Sequence, residues 1–177
     1  MAHRFYVETS LAPGSVILPR AAFVSLHAEG DLRGCIGMIT AVESLAGTVA
    51  RCAALAATED PRFPPLERAE LDAVSIEISV LGPRVPIADP SGIVVGRHGL
   101  MVTLGSRRGL LLPQVAVEQG WDRETFLRET CRKAGLEETA WKKGAVVEAF
   151  EAEVFSEAAP PTGAPPRSPP GSPASIG

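Results

Sequence analysis

The chain has 177 residues, of which 45% are hydrophobic and 21% are charged, and its formal net charge is -4 at pH 7. A chain of this length and balance can bury a core, which excludes a wholly disordered protein. The acidic net charge leaves no basic surplus to neutralise a phosphate backbone, so we do not expect nucleic acid as a partner.

Targeting and metal-binding signals are also missing from the sequence. The N-terminal segment lacks the apolar run of a signal peptide, and no window approaches the roughly 18 apolar residues that a membrane span requires. The three cysteines, Cys35, Cys52 and Cys131, are odd in number and far apart, which predicts neither a disulfide framework nor a metal site. We therefore expect a soluble, cytoplasmic protein with reduced thiols, no membrane contact, no metal and no cofactor.

The first predicted structure is a β-hairpin. Residues 21–27 are mostly apolar, Glu29 and Gly30 are typical turn residues, and residues 31–39 resume an extended pattern. A helix follows over residues 43–58, where apolar side chains recur at steps of three and four. The second strand of this hairpin carries the sequence RGCIG.

The middle of the chain adds a strand and a second hairpin. Residues 73–81 alternate apolar and polar side chains, which predicts a strand with one face in water. Residues 99–104 and 109–112 flank the turn residues Gly105 and Ser106 and predict the hairpin.

Two helices and a strand complete the pattern. Pro113 is a favourable first residue for a short helix. Asp122 is a good N-cap and Gly135 a good residue just after a helix end, so together they bracket a second, longer helix. Residues 146–155 predict one closing strand.

These elements predict an α+β fold with a mostly antiparallel sheet flanked by helices, because hairpins and a few helices do not form a βαβ series. We assign residues 1–157 to the domain. Residues 158–177 hold seven of the 16 prolines and almost nothing to bury. That composition predicts a disordered Pro/Ser/Gly-rich tail.

Five segments in this order closely resemble the AMMECR1 family. They are LRGCIG at 32–37, EDPRFPPL at 59–66, EISVL at 77–81, RGLLLPQVAVEQGWD at 108–122 and FLRETCRKAGL at 126–136. The resemblance covers residues 21–155. It implies an α+β fold around an antiparallel sheet, described as a larger and a smaller lobe.

The same resemblance implies a setting but no settled activity. Bacterial and archaeal proteins that resemble this one are often encoded or fused with a radical-SAM protein and a Memo-like protein. The implied partners are therefore radical-SAM and Memo-like proteins, with a small metabolite as the shared ligand. The chain also departs from the family pattern, because members usually carry an amphipathic helix before the first hairpin and LAPGSVILP, at residues 11–19, is not helical.

Cys35 is the strongest candidate for chemistry. It lies between Gly34 and Gly37, and glycines let a ligand approach the backbone closely. A cation from Arg33 or Arg62 would favour the thiolate, the form that attacks electrophiles, and strand alternation puts Arg33 on the same face as Cys35. The alternative is that Cys35 is a small core residue, since free cysteine is often buried.

Three further positions are candidates with structural alternatives. Asp60 and Arg62 follow the end of the first helix, where they could bind a ligand or simply pair with each other and stabilise a turn. His98 precedes a strand and suits a general acid or base, or else a solvated loop histidine. Gln114 lies near a helix N-terminus, where its amide could hold a ligand in a pocket.

Two classes of function fit these residues. One is an enzyme or enzyme subunit with a cleft built on RGCIG. The other is a non-catalytic module that binds a ligand or a partner and regulates it, because no complete catalytic set can be read from the sequence. Convergence of Cys35, Arg33, His98 and Gln114 in one cleft would distinguish the first from the second.

Overall fold

A computed structural model describes residues 14–157. Within that range, none of the helices is long and apolar enough to span a membrane. The residues form two antiparallel sheets with three α-helices, which confirms the predicted α+β class. The predicted tail, residues 158–177, lies outside the described residues.

Eight strands make up the two sheets of this region. They are β1 Ala22–Ala28, β2 Asp31–Met38, β3 Val74–Leu81, β4 Val85–Pro86, β5 Gly99–Leu104, β6 Arg107–Leu111, β7 Val146–Phe150 and β8 Ala152–Ser156. The helices are α1 Leu45–Thr58, α2 Pro113–Glu118 and α3 Arg123–Lys133. The first sheet has the order β2-β1-β3-β8, and the second has the order β4-β7-β5-β6.

The first lobe consists of the first sheet and α1. Alternate residues of β1, Val24 and Leu26, are buried against Cys52 and Ala56 of α1, as the period of a strand requires. Ser44 caps α1 by accepting a hydrogen bond from the Gly47 N–H at 3.2 Å. The residues of β1 that alternate with these, beginning with Phe23, therefore face away from the helix.

The second lobe consists of the second sheet with α2 and α3. Its core includes Leu100, Phe126 and Leu127, each at most 1% exposed. Asp122 accepts a hydrogen bond from the Thr125 N–H at 2.8 Å and caps α3, as predicted from the sequence. The pattern of apolar residues therefore located α1 and α3, and the cap predicted for α3 is confirmed.

The prediction of one closing strand over residues 146–155 is wrong. β7 ends at Phe150 in the second sheet, and after Glu151 the chain continues as β8 in the first sheet. The chain first passes from the first sheet to the second at Gly82, after β3, and returns at Glu151. The Gly82 N–H donates to the Glu151 carbonyl at 2.8 Å, so these two passages lie side by side. No glycine or proline marks Glu151, and a sequence pattern contains no information about which sheet a strand joins.

An apolar cluster joins the two lobes. Leu81 of the first lobe is buried with Leu112 and Phe150 of the second, and Phe23 and Val115 pack against them. The face of the first sheet that is turned away from α1 therefore contacts the second lobe at one end. The rest of that face carries Cys35.

Candidate functional site

Cys35 lies in the middle of β2, which is an edge strand of the first sheet. It pairs directly with Ser25 on β1, and the Ser25 hydroxyl donates a hydrogen bond to Sγ at 3.3 Å. The thiol is on the sheet face opposite α1 and is half-buried. It is therefore neither a core residue nor fully exposed.

Asp60 and Arg62 close the free edge of β2 beside Cys35. The Cys35 N–H donates to Asp60 Oδ2 at 2.8 Å, and Arg62 Nη2 donates to the Cys35 carbonyl at 3.3 Å. An edge strand presents such groups to any strand that could pair with it. The two side chains thus take the place of a neighbouring strand at this one residue.

The electrostatics of this pair follow from its geometry. Arg62 donates to Asp60 through Nε at 2.9 Å and through Nη2 at 2.7 Å. These bonds, with the Cys35 N–H, hold the pKa of the buried Asp60 carboxyl well below its usual range, and Asp60 in turn raises the pKa of Arg62. The pair is fully ionised at neutral pH, and the Arg62 side chain remains 53% exposed.

Arg33 does not support the thiol in this structure. Its guanidinium forms two hydrogen bonds with Glu70, at 2.9 and 3.0 Å, and one with the Pro64 carbonyl at 2.9 Å. The β1–β2 register shifts between Leu26 and His27, which leaves Arg33 opposite no partner, as in a β-bulge. The guanidinium of Arg33 therefore anchors the segment that follows Asp60 and makes no hydrogen bond to the thiol.

The two glycines of RGCIG are explained by packing. A Cβ atom on Gly34 would lie 2.2 Å from the Ala56 carbonyl oxygen of α1. A Cβ atom on Gly37 would lie 2.2 Å from the ring of Phe23, its cross-strand partner. Both positions exclude a side chain before any ligand is considered.

His98 and Gln114 lie apart from this group. His98 Nδ1 accepts a hydrogen bond from the Val94 N–H at 3.1 Å, within a loop of the second lobe. Gln114 Nε2 donates to the Ser79 hydroxyl at 3.0 Å, on β3. Strand spacing places Ser79 on the order of 12 Å from Cys35 on the same sheet face. The structure thus brings together Cys35, Asp60 and Arg62, and leaves the other two outside hydrogen-bonding contact with them.

Ser25 is the site residue that the sequence did not indicate. If the two-residue turn at Glu29 and Gly30 continued in simple register, Ser25 would face Gly34. The bulge at Arg33 shifts the register by one residue, and Ser25 then meets Cys35. No local signal in the sequence marks this bulge.

The other two thiols have a different environment. Cys52 and Cys131 are both 0% exposed, and burial raises the pKa of each thiol. Across residues 14–157, no three histidine, cysteine, aspartate or glutamate side chains come together in a way that could hold a metal ion. Among the described thiols, Cys35 is thus the most accessible to a reagent or partner.

Comparison with known proteins identifies the family of this chain. A family model described as AMMECR1 matches residues 3–155. The chain belongs to the AMMECR1 family. This finding confirms the resemblance carried by the five sequence segments.

Two archaeal relatives illustrate the similarity within the AMMECR1 family. A protein of Thermofilum pendens is 50% identical over 141 residues, which cover 76% of this chain and 66% of that protein. A protein of Methanothermobacter thermautotrophicus is 48% identical over 145 residues, covering 78% and 76% of the two chains. The chain thus spans slightly less than two thirds of the first of these relatives.

A solved structure supports the fold. The crystal structure of the uncharacterized protein PH0010 from Pyrococcus horikoshii is similar to this chain with a TM-score of 0.80 and 40% sequence identity. The similarity covers 89% of this chain and 83% of that one. The AMMECR1 fold therefore includes both lobes described above.

Proposed function

We propose that this AMMECR1-domain protein is a binding component that acts with radical-SAM and Memo-like proteins on a small metabolite. The surface around Cys35 is its contact site. The observation that carries this proposal is the closed edge of β2. Asp60 binds the Cys35 N–H and Arg62 binds the Cys35 carbonyl, while the thiol stays half-buried on the adjoining sheet face.

Binding fits this geometry better than catalysis. A nucleophilic cysteine needs a base or a cation within reach of its sulfur. In the described residues, the sulfur accepts a hydrogen bond from a neutral hydroxyl, that of Ser25. The guanidinium of Arg62 interacts with the Cys35 side chain, but its main partner is the Asp60 carboxylate, and Arg33 is paired with Glu70. A surface whose side chains are already held by hydrogen bonds suits recognition, because fewer side chains lose freedom when a ligand or partner binds.

The second candidate function is an enzyme that uses Cys35 as a nucleophile. The accessibility of this thiol favours an enzyme. Arg62 also favours it, because this residue lies beside Cys35 in space although 27 positions away in the chain, and its exposed half could hold an anionic substrate. His98 lies in a loop of the second lobe and makes no hydrogen bond to Cys35, so this alternative does not involve it.

A pair of substitutions at one position separates the two functions. Cys35→Ser preserves the size of the side chain and removes the thiol, whereas Cys35→Tyr keeps a hydrogen-bonding group but obstructs the surface. Tagged full-length chains are purified from cells, and co-purifying proteins are quantified by mass spectrometry. Cys131→Ala, in the core of the second lobe, is the control.

For a binding component, wild type, Cys35→Ser and Cys131→Ala recover the radical-SAM or Memo-like protein equally, and Cys35→Tyr recovers about ten-fold less. For an enzyme, Cys35→Ser keeps the partner but abolishes turnover of the metabolite. Equal recovery by the wild type and a folded Cys35→Tyr would show that partners bind elsewhere.

A further inference from the structure

The second lobe contains a pocket that is separate from the surface around Cys35. Its volume is about 190 Å³, and it opens between the loop after β4, the side of α3 and the start of β7. Ile93, Leu127 and Val147 are three of its apolar walls, and each is at most 8% exposed. Because these walls belong to the core of the lobe, the pocket is formed by well-packed structure.

One aromatic and one cationic side chain form one side of the pocket. Trp141 and Lys142 both line it, and Lys142 Nζ lies 4.6 Å from the centre of the Trp141 ring. The ammonium group also lies 3.0 Å from Glu124 Oε1. Since both members of this ion pair are at least half exposed, the pairing is weak and can exchange with another anion.

A second cation, Arg123, lies outside the pocket lining but contacts the backbone of one lining residue. Arg123 Nε donates to the carbonyl of Ile93 at 2.9 Å. Hydrogen bonds from Ser91 and the nearby charge of Arg123 lower the pKa of Asp89, so this ionised carboxylate offsets the charge of Arg123. The side chains that line the pocket are thus mostly apolar, and Lys142 is the charged one among them.

We propose that this pocket binds a small carboxylic acid with a branched or aromatic apolar body. The body occupies the apolar interior and the carboxylate binds the ammonium group of Lys142. The volume suits this class, because a cavity of roughly 150 Å³ holds a benzene ring. Apolar walls with one or two placed charges are typical of small-molecule sites.

The probe for this site is 4-methylpentanoate, and 4-methylpentanamide is its neutral counterpart of the same shape. Binding to the full-length protein is followed by NMR through the indole N–H signals. Trp141 lines the pocket, whereas Trp121 packs on another part of the core and is the internal reference. We expect a saturable shift at Trp141, little change at Trp121, and an affinity for the acid about five-fold higher than for the amide.

Two substitutions test the assignment of the interior and of the charge. Ala145→Leu adds volume at the pocket wall, and we expect it to weaken binding of both probes at least ten-fold, as about 1.4 kcal/mol would. Lys142→Gln should equalise the acid and the amide. The unchanged Trp121 signal shows that each variant is folded.

Three results would overturn the proposal. One is a shift that does not saturate or that is equal at both tryptophans. Another is wild-type binding by Ala145→Leu. The third is a preference for the acid that survives Lys142→Gln.

Discussion

The two lobes use the same two packing devices around glycine. In the first lobe, Gly37 lies under the ring of its cross-strand partner Phe23, and in the second lobe Gly99 lies under the ring of its partner Phe150. An aromatic ring covering a cross-strand glycine is a recognised way to stabilise a sheet. The repetition shows that such a glycine has a packing role in each lobe.

The second device brings a helix close to a hairpin. A Cβ atom on Gly34 would lie 2.2 Å from the Ala56 carbonyl oxygen, and one on Gly109 would lie 2.3 Å from the Ala134 backbone nitrogen. Among residues 14–157, the thiol whose backbone is held by a buried carboxylate, Cys35, lies in the first lobe. In the RGCIG motif, close packing thus accounts for the two glycines but not for the cysteine.

The largest expected effect tests the shared device. Gly34→Ala and Gly109→Ala should each lower the free energy of unfolding by about 3 kcal/mol, because the new methyl group meets backbone that cannot move aside. Urea unfolding measures both. Gly92→Ala is the matched control, since its Cβ atom would meet nothing within 4 Å. If Gly34→Ala is as stable as Gly92→Ala, the packing explanation of this motif is wrong.

The next effect tests what distinguishes the first lobe. Asp60→Asn replaces an acceptor of four hydrogen bonds with a group that also presents an N–H₂ to donors. We expect the free energy of unfolding to fall by about 2–3 kcal/mol at pH 7. Glu70→Gln, which changes the half-buried carboxylate bound by Arg33, should lower the free energy of unfolding by less, because this carboxylate accepts fewer hydrogen bonds.

The effect of Asp60 should also depend on pH. The folded state lowers the pKa of this carboxyl, so its stabilising contribution is complete above the ordinary pKa of about 4 and is lost as the pH falls toward the lowered value. Urea unfolding at pH 7 and at about pH 3 should therefore show the difference between wild type and Asp60→Asn narrowing in acid. A constant difference would mean that the carboxylate charge is not what stabilises the edge.

The smallest effect on stability, but the clearest chemical contrast, concerns the thiols. Cys35 should react with iodoacetamide at least about ten-fold faster than Cys52 or Cys131, because burial shields the latter two and raises their pKa. Mass spectrometry of the native protein across a pH series measures each rate. Cys35→Ser should change the free energy of unfolding by less than about 1 kcal/mol. Equal rates for the three thiols would place Cys35 with the core residues.

The sequence by itself determined most of the elements and the class of the fold. Both hairpins, the span of α1 and the cap of α3 follow from local rules, because turn chemistry, hydrophobic period and capping act between residues that are close in the chain. The five segments also identified the family. These predictions need no knowledge of which elements meet.

Only the tertiary structure decided how those elements are combined. The bulge at Arg33 gives Cys35 a partner in Ser25, and the crossing at Glu151 divides one predicted strand between two sheets. The direction of Arg33 toward Glu70 also depends on a segment 37 positions away. Strand register, sheet membership and ion pairing are contacts between residues distant in sequence, and their energies are set by the packed fold rather than by any local pattern.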